Sequence, residues 1–226
     1  MVAERSYNMN DFSFHSIKYA ESTLDESMVF DGGDKNKKIP ISFVIYLIKS
    51  GDKNILIDAG CDTLPSFNMK KFYSPAFMLR KIGLLAEDIT DILITHSHHD
   101  HIEAVKHFKN AVIHIQKDEY ESGKEYILKT QKVDLFENEC EITSRVKAVK
   151  WGGHSTGSAI VEIGGETVTH IIAGDECYTA ENLKNKICTG LFCDKTKAVQ
   201  FVEKYSDKKY CVHTCHDISL KTERII

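Results

Sequence analysis

Five potential metal ligands fall within one stretch of seven residues, THSHHDH at positions 95–101. Imidazoles this close repel one another when they are protonated, and an exposed loop gains nothing from crowding them. The stretch follows DILIT at 91–95, whose apolar, β-branched character predicts a strand. Because side chains two residues apart project to the same side of an extended chain, His96 and His98 can reach one metal ion. His99 then points elsewhere and is predicted to be a bystander.

A second metal ion is predicted where the chain turns into a helix that begins near Ile102. This turn can swing Asp100 and His101 toward that ion. Neutral imidazole and carboxylate groups suit zinc and related divalent metals. The alternative interpretation is a histidine-rich surface loop with no fixed ligand. Several ligand types converge directly after a strand, and this favours the metal site.

Short apolar runs alternate with amphipathic runs along the chain, which predicts a layered α/β protein rather than a helical bundle or a pure β-sandwich. We predict strands at 41–49, 54–60, 91–95, 111–115, 146–151, 158–163, 167–174 and 209–214, with a tight hairpin turn at 163–167. We predict helices at 67–81, 102–109, 117–127 and 195–206, the last with Asp194 as its N-cap. Four of the strands are followed at once by polar clusters, namely IDAG at 57–60, THSHHDH, WGGHSTG at 151–157 and AGDECY at 173–178. Strand ends are where folds place functional sites, so these clusters are candidates for one.

The bulk composition excludes several classes of protein. A chain of 226 residues predicts a single domain over 1–226, and its 42% hydrophobic and 27% charged residues are ordinary for a globular protein. The net charge of −4, with both signs interspersed, argues against a nucleic-acid or anionic-membrane partner. The N-terminal residues MVAERSYNMN lack an apolar run, and no stretch approaches the roughly 20 apolar residues of a membrane span. Seven scattered cysteines do not suggest a disulfide framework, and we predict a cytoplasmic location.

The stretch from His96 to His101 resembles the signature of the metallo-β-lactamase superfamily of metal-dependent hydrolases. The resemblance extends to ILIDAG at 55–60, GGHSTGS at 152–158, AGDECY at 173–178 and CHD at 215–217, in matching order and spacing. It implies an α/β fold of four layers, an αββα sandwich with two mixed sheets, helices outside and a dinuclear metal site at the sheet edge.

The same resemblance implies a role for each candidate ligand. The first ion would be held by His96, His98 and His154, the second by Asp100, His101 and His216, and both by Asp175 as a bridge. Asp58 would orient one ligand by hydrogen bonding. The two divalent ions are expected to be Zn²⁺, although the same ligands accept Mn²⁺ or Fe²⁺.

The segment YCVHTCHD offers two histidines for the last ligand position. The order of CHD favours His216, with His213 as a strand residue. Cys211 and Cys215 are predicted to be core residues rather than thiolate ligands. Four further histidines have no motif context and are predicted to be structural or exposed, namely His15, His107, His114 and His170.

Within the superfamily, AGDECYTAENL at 173–183 most resembles the N-acyl homoserine lactonase group, which places a tyrosine against the substrate carbonyl at the position of Tyr178. The alternative is a packing tyrosine. The segment 61–80 corresponds to one that lines the acyl pocket of that group, and here it carries Phe67, Met69, Phe72, Phe77 and Met78. The alternative is that these side chains simply pack in the core.

Two departures from the pattern of the group bear on the substrate. Glu103 is expected near the mouth of the site, and Ser158 stands where many relatives have a second histidine.

The function implied is hydrolysis of a small-molecule lactone or related ester. Two cations that share a water lower its pKa and yield a bridging hydroxide, Tyr178 stabilises the oxyanion, and Asp100 or a metal-bound water protonates the leaving alkoxide. The nearest alternative is a glyoxalase II-like thioesterase, with Lys70, Lys71, Arg80 and Lys81 near its mouth. A phosphodiesterase or nuclease, an exported β-lactamase and a non-catalytic metal-binding protein are weaker alternatives. An oxygen-reducing di-iron protein of this fold would have glutamate in place of His98 and a flavin domain.

Overall fold

Two β-sheets face one another, and helices cover the outer face of each. The computed structural model describes residues 12–64, 67–165 and 167–226. The first sheet has seven strands in the order β12-β1-β2-β3-β4-β5-β6, and the second has five in the order β11-β10-β9-β8-β7. The strands are β1 Phe12–Asp25, β2 Lys38–Ser50, β3 Lys53–Ile57, β4 Asp91–Ile94, β5 Val112–Gln116, β6 Lys132–Phe136, β7 Glu139–Thr143, β8 Val146–Lys150, β9 Ala159–Ile163, β10 Thr169–Ile172, β11 Tyr210–His213 and β12 Glu223–Arg224.

Both sheets are mixed, as predicted. In the first sheet β12, β1, β2 and β3 pair antiparallel, and β3 through β6 pair parallel. In the second sheet only β10 and β11 pair parallel. The parallel strands end at one edge of the sandwich, which brings the polar segments that follow them together.

Within the described residues, six α-helices and three 3₁₀ turns connect the strands. The helices are α1 Glu26–Val29, α2 Pro75–Lys81, α3 His99–Ile102, α4 Lys117–Gly123, α5 Ala180–Asn185 and α6 Lys195–Tyr205, and the turns are Ala86–Asp88, Glu103–His107 and Gly174–Glu176. Helix α6 matches its prediction, and the Asp194 carboxylate accepts from the Lys197 backbone N–H as its N-cap. Among the helices of the described residues, none is both long enough and apolar enough to cross a membrane.

Three of the predicted helices are shorter than expected. The helix predicted at 67–81 begins only at Pro75, because proline is favoured in the first turn and the Ser74 hydroxyl caps it, while Lys70 upstream pairs with β1. The helix predicted at 102–109 is the short α3 followed by a 3₁₀ turn, and the one predicted at 117–127 ends at Gly123. The predicted 163–167 turn includes Glu166, which lies outside the described residues, but β9 and β10 do form an antiparallel pair across it.

Three apolar clusters follow from this layering. One lies between the sheets and includes Phe14, Tyr46 and Ile172. A second packs helices α2 and α3 on the outer face of the first sheet, and a third packs α6 on the outer face of the second. Because both faces of each sheet are packed against apolar side chains, the loops at the carboxyl ends of the strands begin from a rigid scaffold.

Candidate metal centre

Five loops deliver polar side chains to one edge of the sandwich. They follow β3, β4, β8, β10 and β11, and they carry Asp58, the histidine-rich stretch, His154, Asp175 and His216 respectively. The loop after β10 passes close to the loop after β4 at Gly174, whose φ is +54° and whose added Cβ would lie 3.0 Å from Thr95. Glycine permits both the backbone angle and the close approach, which sets Asp175 beside the histidines.

The first donor group has its ligand atoms within 4.8 Å of one another and consists of His96, His98, His154 and Asp175. The His154 Nε2 atom lies 3.0 Å from His98 Nδ1. The Asp175 Oδ2 atom lies 3.6 Å from His96 Nε2 and 3.5 Å from His154 Nε2. Three imidazoles and one carboxylate therefore surround a space of the size that one metal ion needs.

The second donor group consists of Asp100, His101 and His216, again within 4.8 Å of one another. It faces the other oxygen of Asp175, because Oδ1 lies 3.1 Å from both His101 Nε2 and His216 Nε2. The Asp100 Oδ2 atom lies 3.6 Å from the same two nitrogens. One oxygen of Asp175 thus faces each donor group, which is the arrangement of a bridging carboxylate.

The chemistry of the donor set fits two cations. The Nε2 atoms of His96 and His101 are buried and make no hydrogen bond, a costly state for polar atoms unless something binds them. Burial holds the pKa of His96 well below its usual range, so its ring is neutral and offers a lone pair. Burial alone would raise the pKa of Asp175, but the neighbouring His101 and His216 hold it well below its usual value. The carboxylate is therefore ionised at the centre of the site.

The nitrogen that faces away from the site is anchored in three of the histidines. His101 Nδ1 lies 2.7 Å from Asp58 Oδ2, His216 Nδ1 donates to the Ser42 carbonyl at 3.0 Å, and His154 Nδ1 donates to the Leu191 carbonyl at 2.9 Å. These contacts fix the ring orientations and leave Nε2 facing inward. Asp58 itself adopts the left-handed φ of 61°, a strained conformation that concentrates at functional sites.

Two buried glutamates that received no role from the sequence lock the ligand loops together. Glu119 accepts from the Ser97 backbone N–H at 2.9 Å and from the Ser155 hydroxyl at 2.7 Å, joining the loop of His98 to the loop of His154. Burial would raise the pKa of Glu119, but these hydrogen bonds lower it overall. Glu176 accepts from the His154 backbone N–H at 3.0 Å, and burial raises its pKa. In the sequence these two glutamates lie within QKDEYES at 116–122 and AGDECY at 173–178. Other acidic residues adjoin them there, so the pattern does not single them out.

A cavity of about 390 Å³ opens onto both donor groups. It is lined by Leu24, Met28, Ile41, Phe43, Leu64, Phe67, His98, His99, Asp100, Asp175, Tyr178, Leu191 and His216. Tyr178 is 3% exposed and packs edge-on against His216, with ring centroids 4.9 Å apart. His99 contacts the Thr63 carbonyl through Nε2 at 2.7 Å, so it shapes the wall of the cavity and belongs to neither donor group.

The segment 61–80 contributes less to the cavity wall than the resemblance implies. Of the aromatic and methionine side chains in 61–80 only Phe67 lines it; Phe72 and Phe77 are exposed, and Met78 packs in the core beside α2. The remaining aliphatic and aromatic wall comes from β1, α1, β2 and two loops, and the sequence pattern singled out none of these residues as lining, namely Leu24, Met28, Ile41, Phe43, Leu64 and Leu191. Among the described residues, no lysine or arginine lines the cavity, and Lys71 pairs with Glu21 instead. The thioesterase alternative would place four basic residues near the mouth, and none of them is among the lining residues, namely Lys70, Lys71, Arg80 and Lys81.

The two departures from the lactonase pattern also have structural explanations. Glu103 does not reach the cavity mouth, because its side chain is buried against Lys106 and accepts from the Asp62 backbone N–H at 2.6 Å. Ser158 is buried, and its hydroxyl oxygen lies 2.5 Å from Glu176 Oε1 and 2.9 Å from the Ser155 carbonyl oxygen, both within hydrogen-bond distance. Both side chains are used in internal hydrogen bonding rather than in contact with the cavity.

Comparison with known proteins agrees with this geometry. A sequence model described as "Metallo-beta-lactamase superfamily" matches residues 44–210. An N-acyl homoserine lactonase of Bacillus thuringiensis is 24% identical over 189 residues, which cover 73% of this chain and 75% of that protein. The N-acyl homoserine lactonase AiiB of Agrobacterium fabrum is 26% identical over 183 residues, covering 64% of this chain and 65% of that protein.

A solved structure gives the same comparison in three dimensions. An N-acyl homoserine lactone hydrolase with the product N-hexanoyl-L-homoserine bound at its catalytic metal centre superposes with a TM-score of 0.80. The two chains are 22% identical, and the match covers 94% of this chain and 98% of that one. The predicted sandwich fold is thereby confirmed.

Proposed function

Because the chain belongs to the metallo-β-lactamase superfamily, we propose that it is a hydrolase that opens the ring of an N-acyl homoserine lactone with the help of two divalent metal ions. The prediction of a metal-dependent enzyme is confirmed at the level of the family and its lactonase relatives. The observation that carries the specific proposal is the pairing of two donor groups across Asp175 at the base of a mainly apolar cavity. The ions are proposed to be zinc, which imidazole and carboxylate ligands suit.

Each donor group has a defined part in this proposal. His96, His98 and His154 would hold one ion, Asp100, His101 and His216 the other, and Asp175 both. Two such cations supply a water of lowered pKa and polarise an ester carbonyl. Asp58 keeps the His101 ring oriented, since its carboxylate occupies the nitrogen that faces away from the centre.

Tyr178 and Asp100 are proposed to act on the substrate itself. Burial raises the pKa of Tyr178 well above its usual value, so the hydroxyl keeps its proton and can donate it in a hydrogen bond to the developing oxyanion. Asp100 lies at the boundary between the donor groups and the open cavity, with a side chain that is 18% exposed. It can take up the proton that the attacking water gives up and pass it to the departing alkoxide as the ring opens.

The cavity wall supports a lactone with an acyl chain. Leu24, Met28, Phe43 and Phe67 form an apolar surface beside the donor groups, which suits a hydrocarbon chain. An anionic glutathione-type thioester would need cationic side chains at the mouth, and the described lining residues include none. The thioesterase function is therefore the weaker candidate.

Acid release from N-hexanoyl homoserine lactone by the purified chain tests the proposal, with a glutathione thioester run in parallel. We expect lactone opening that stops on chelation and returns when Zn²⁺ is restored to two equivalents. No lactone opening by a chain loaded with two metal ions would overturn the lactonase assignment. Turnover of the thioester alone would assign the same centre to thioester hydrolysis.

A further inference from the structure

A second cluster of potential ligands lies within the second sheet and contributes nothing to the centre described above. It consists of His170 on β10 and of Cys211 and His213 on β11. The ligand atoms of the three side chains lie within 4.8 Å of one another. All seven cysteines of the chain are free thiols, so the Cys211 sulfur is available for binding.

The pairing of the two strands explains why these side chains meet. His170 is directly opposite Cys211 in the parallel pair, and His213 lies two residues beyond Cys211 on the same face. The two imidazole rings stack at an angle of 14°, with His170 Nδ1 and His213 Nε2 only 2.9 Å apart. Phe14 packs edge-on against the His213 ring at 4.8 Å and closes one side of the cluster.

The close approach of the two ring nitrogens matches the catalytic centre. There, His154 Nε2 and His98 Nδ1 face each other at 3.0 Å. In a tetrahedral zinc site with Zn–N distances of about 2.0–2.1 Å, two ligand nitrogens stand about 3.3 Å apart. The His170 and His213 rings need to separate by only a few tenths of an ångström to bind one ion.

We propose that His170, Cys211 and His213 form a third metal site, which binds a zinc-like, thiolate-tolerant cation. Two imidazoles and one thiolate are a donor set that Zn²⁺ favours, and water can complete a tetrahedral shell. Cation binding moves the one proton shared between the facing nitrogens to the other nitrogen of the same ring, so both imidazoles stay neutral. It also releases the Cys211 thiol proton to solvent, so the bound sulfur is a thiolate.

The surroundings keep the two imidazoles ready to bind a cation. Burial and the neighbouring His170 lower the pKa of His213 to about 3, and burial followed by the charge of Arg145 lowers the pKa of His170. Both rings are therefore neutral at physiological pH. Burial raises the pKa of Cys211, so without a bound cation the group is a thiol and the cluster carries no charge.

The place of the site in the fold indicates a structural role. Strand β11 has four residues and lies at the edge of the second sheet, where it pairs with β10. The two strands lead into Asp175 and His216 respectively. A cation bound by His170 and by both β11 ligands would tie this pair together just ahead of the segments that carry Asp175 and His216.

Cobalt titration of the 226-residue chain tests the site without reference to activity. A thiolate bound to Co²⁺ gives a charge-transfer absorption in the near ultraviolet, and the seven proposed catalytic ligands include no sulfur. We expect a third equivalent of Co²⁺ to bind with this absorption, and Cys211→Ser to lose both the absorption and one equivalent. Cys140→Ser is the matched control and should keep both, since Cys140 lies in a different histidine cluster.

His213→Gln provides an independent variant if the serine substitution disturbs the strand pair, and it should lower metal content by the same single equivalent. Its circular dichroism spectrum reports whether the fold is intact. Binding of only two equivalents by the wild-type chain, or a sulfur absorption that survives in Cys211→Ser, would overturn the proposal. Either result would leave the lactone assay unaffected, so the two proposals fail separately.

Discussion

His101 at the metal centre and His114 on β5 both lie against two or more aspartates, yet their ring nitrogens are used differently. The Nε2 of His114 contacts Asp91 at 2.9 Å and its Nδ1 contacts Asp134 at 3.1 Å, so both ring nitrogens are occupied. His101 is anchored through Nδ1 by Asp58, while its Nε2 faces Asp175 and makes no hydrogen bond. The two histidines therefore differ at Nε2, which is hydrogen-bonded in His114 and has no hydrogen bond in His101.

The charge balance of the two regions differs in the same way. Lys53 contacts Asp91 at 2.8 Å, so the network around His114 alternates cation and anion and neutralises itself. At the metal centre Asp58, Asp100 and Asp175 lie among imidazoles, of which His96 and His98 have lowered pKa values. The described network around His114 therefore needs nothing from outside, whereas the centre attracts cations. The open Nε2 atoms of His96 and His101 are the feature that the His114 network lacks.

Among the tests of the contrast between the metal centre and the His114 network, the largest effect is expected from substitution of the bridging carboxylate, Asp175. We expect Asp175→Asn to lower kcat/KM for lactone opening by about 10³-fold or more, since loss of an outer partner alone commonly costs 10–100-fold. Metal analysis should show at least one equivalent less than in the unsubstituted chain. Asp134→Asn, which removes a carboxylate from the closed network, is the matched control and should retain both metal and turnover. Full activity in Asp175→Asn would contradict the bridging role.

The tyrosine beside the centre separates chemistry from metal binding. Tyr178→Phe keeps the ring that packs against His216 and removes only the hydroxyl. We expect kcat to fall by about 10²-fold, as for loss of one oxyanion donor, with metal content and thermal stability unchanged. Tyr73→Phe is the control, since Tyr73 is exposed and does not line the cavity. An unchanged kcat would mean that Tyr178 is a packing residue.

Asp58 and Asp91 each contact a ring nitrogen of one of the two histidines, so substituting each in turn tests whether the two regions differ in metal binding. Asp58→Asn weakens the contact that orients His101, and we expect metal affinity to fall about 10–100-fold. Asp91→Asn removes the partner of His114 and Lys53, and we expect a lower melting temperature with unchanged metal affinity. Competition with a chelator of known affinity and thermal unfolding measure the two quantities. Equal effects of both variants on metal affinity would remove the distinction between the regions.

The structure brings the seven candidate ligands together, and the sequence could indicate this because most of their geometry is local. The spacing of His96, His98 and His101 is fixed by a strand and a turn, and the remaining donors follow other strands directly. The choice of His216 over His213 also agrees with the structure, in which His216 alone faces Asp175. Short-range geometry of this kind can be read from residue order.

The cavity wall could not be predicted because it depends on long-range pairing. Leu24 and Phe43 belong to β1 and β2, and β1 was not recognised as a strand because its 14 residues mix polar and apolar positions. Glu103 was expected at the mouth, yet the turn that follows α3 directs its side chain toward Lys106. The direction of a side chain in such a turn depends on neighbours distant in sequence.

The smallest expected effect is a pH dependence of stability from the closed network. Burial acts to lower the pKa of His114, but its contact with Asp91 raises it to about 9, against an ordinary value of 6.5. The imidazolium therefore stabilises the folded state fully below pH 6.5, and this contribution is lost as the pH rises through about 9. We expect a loss on the order of 1 kcal/mol, because the Asp134 side of the network is exposed to solvent. Urea unfolding at pH 6 and pH 9.5 measures this loss, and His114→Gln should reduce the difference between the two. An identical pH dependence in the variant would mean that His114 is not charged in the folded protein, and the contrast with His101 would then rest on geometry alone.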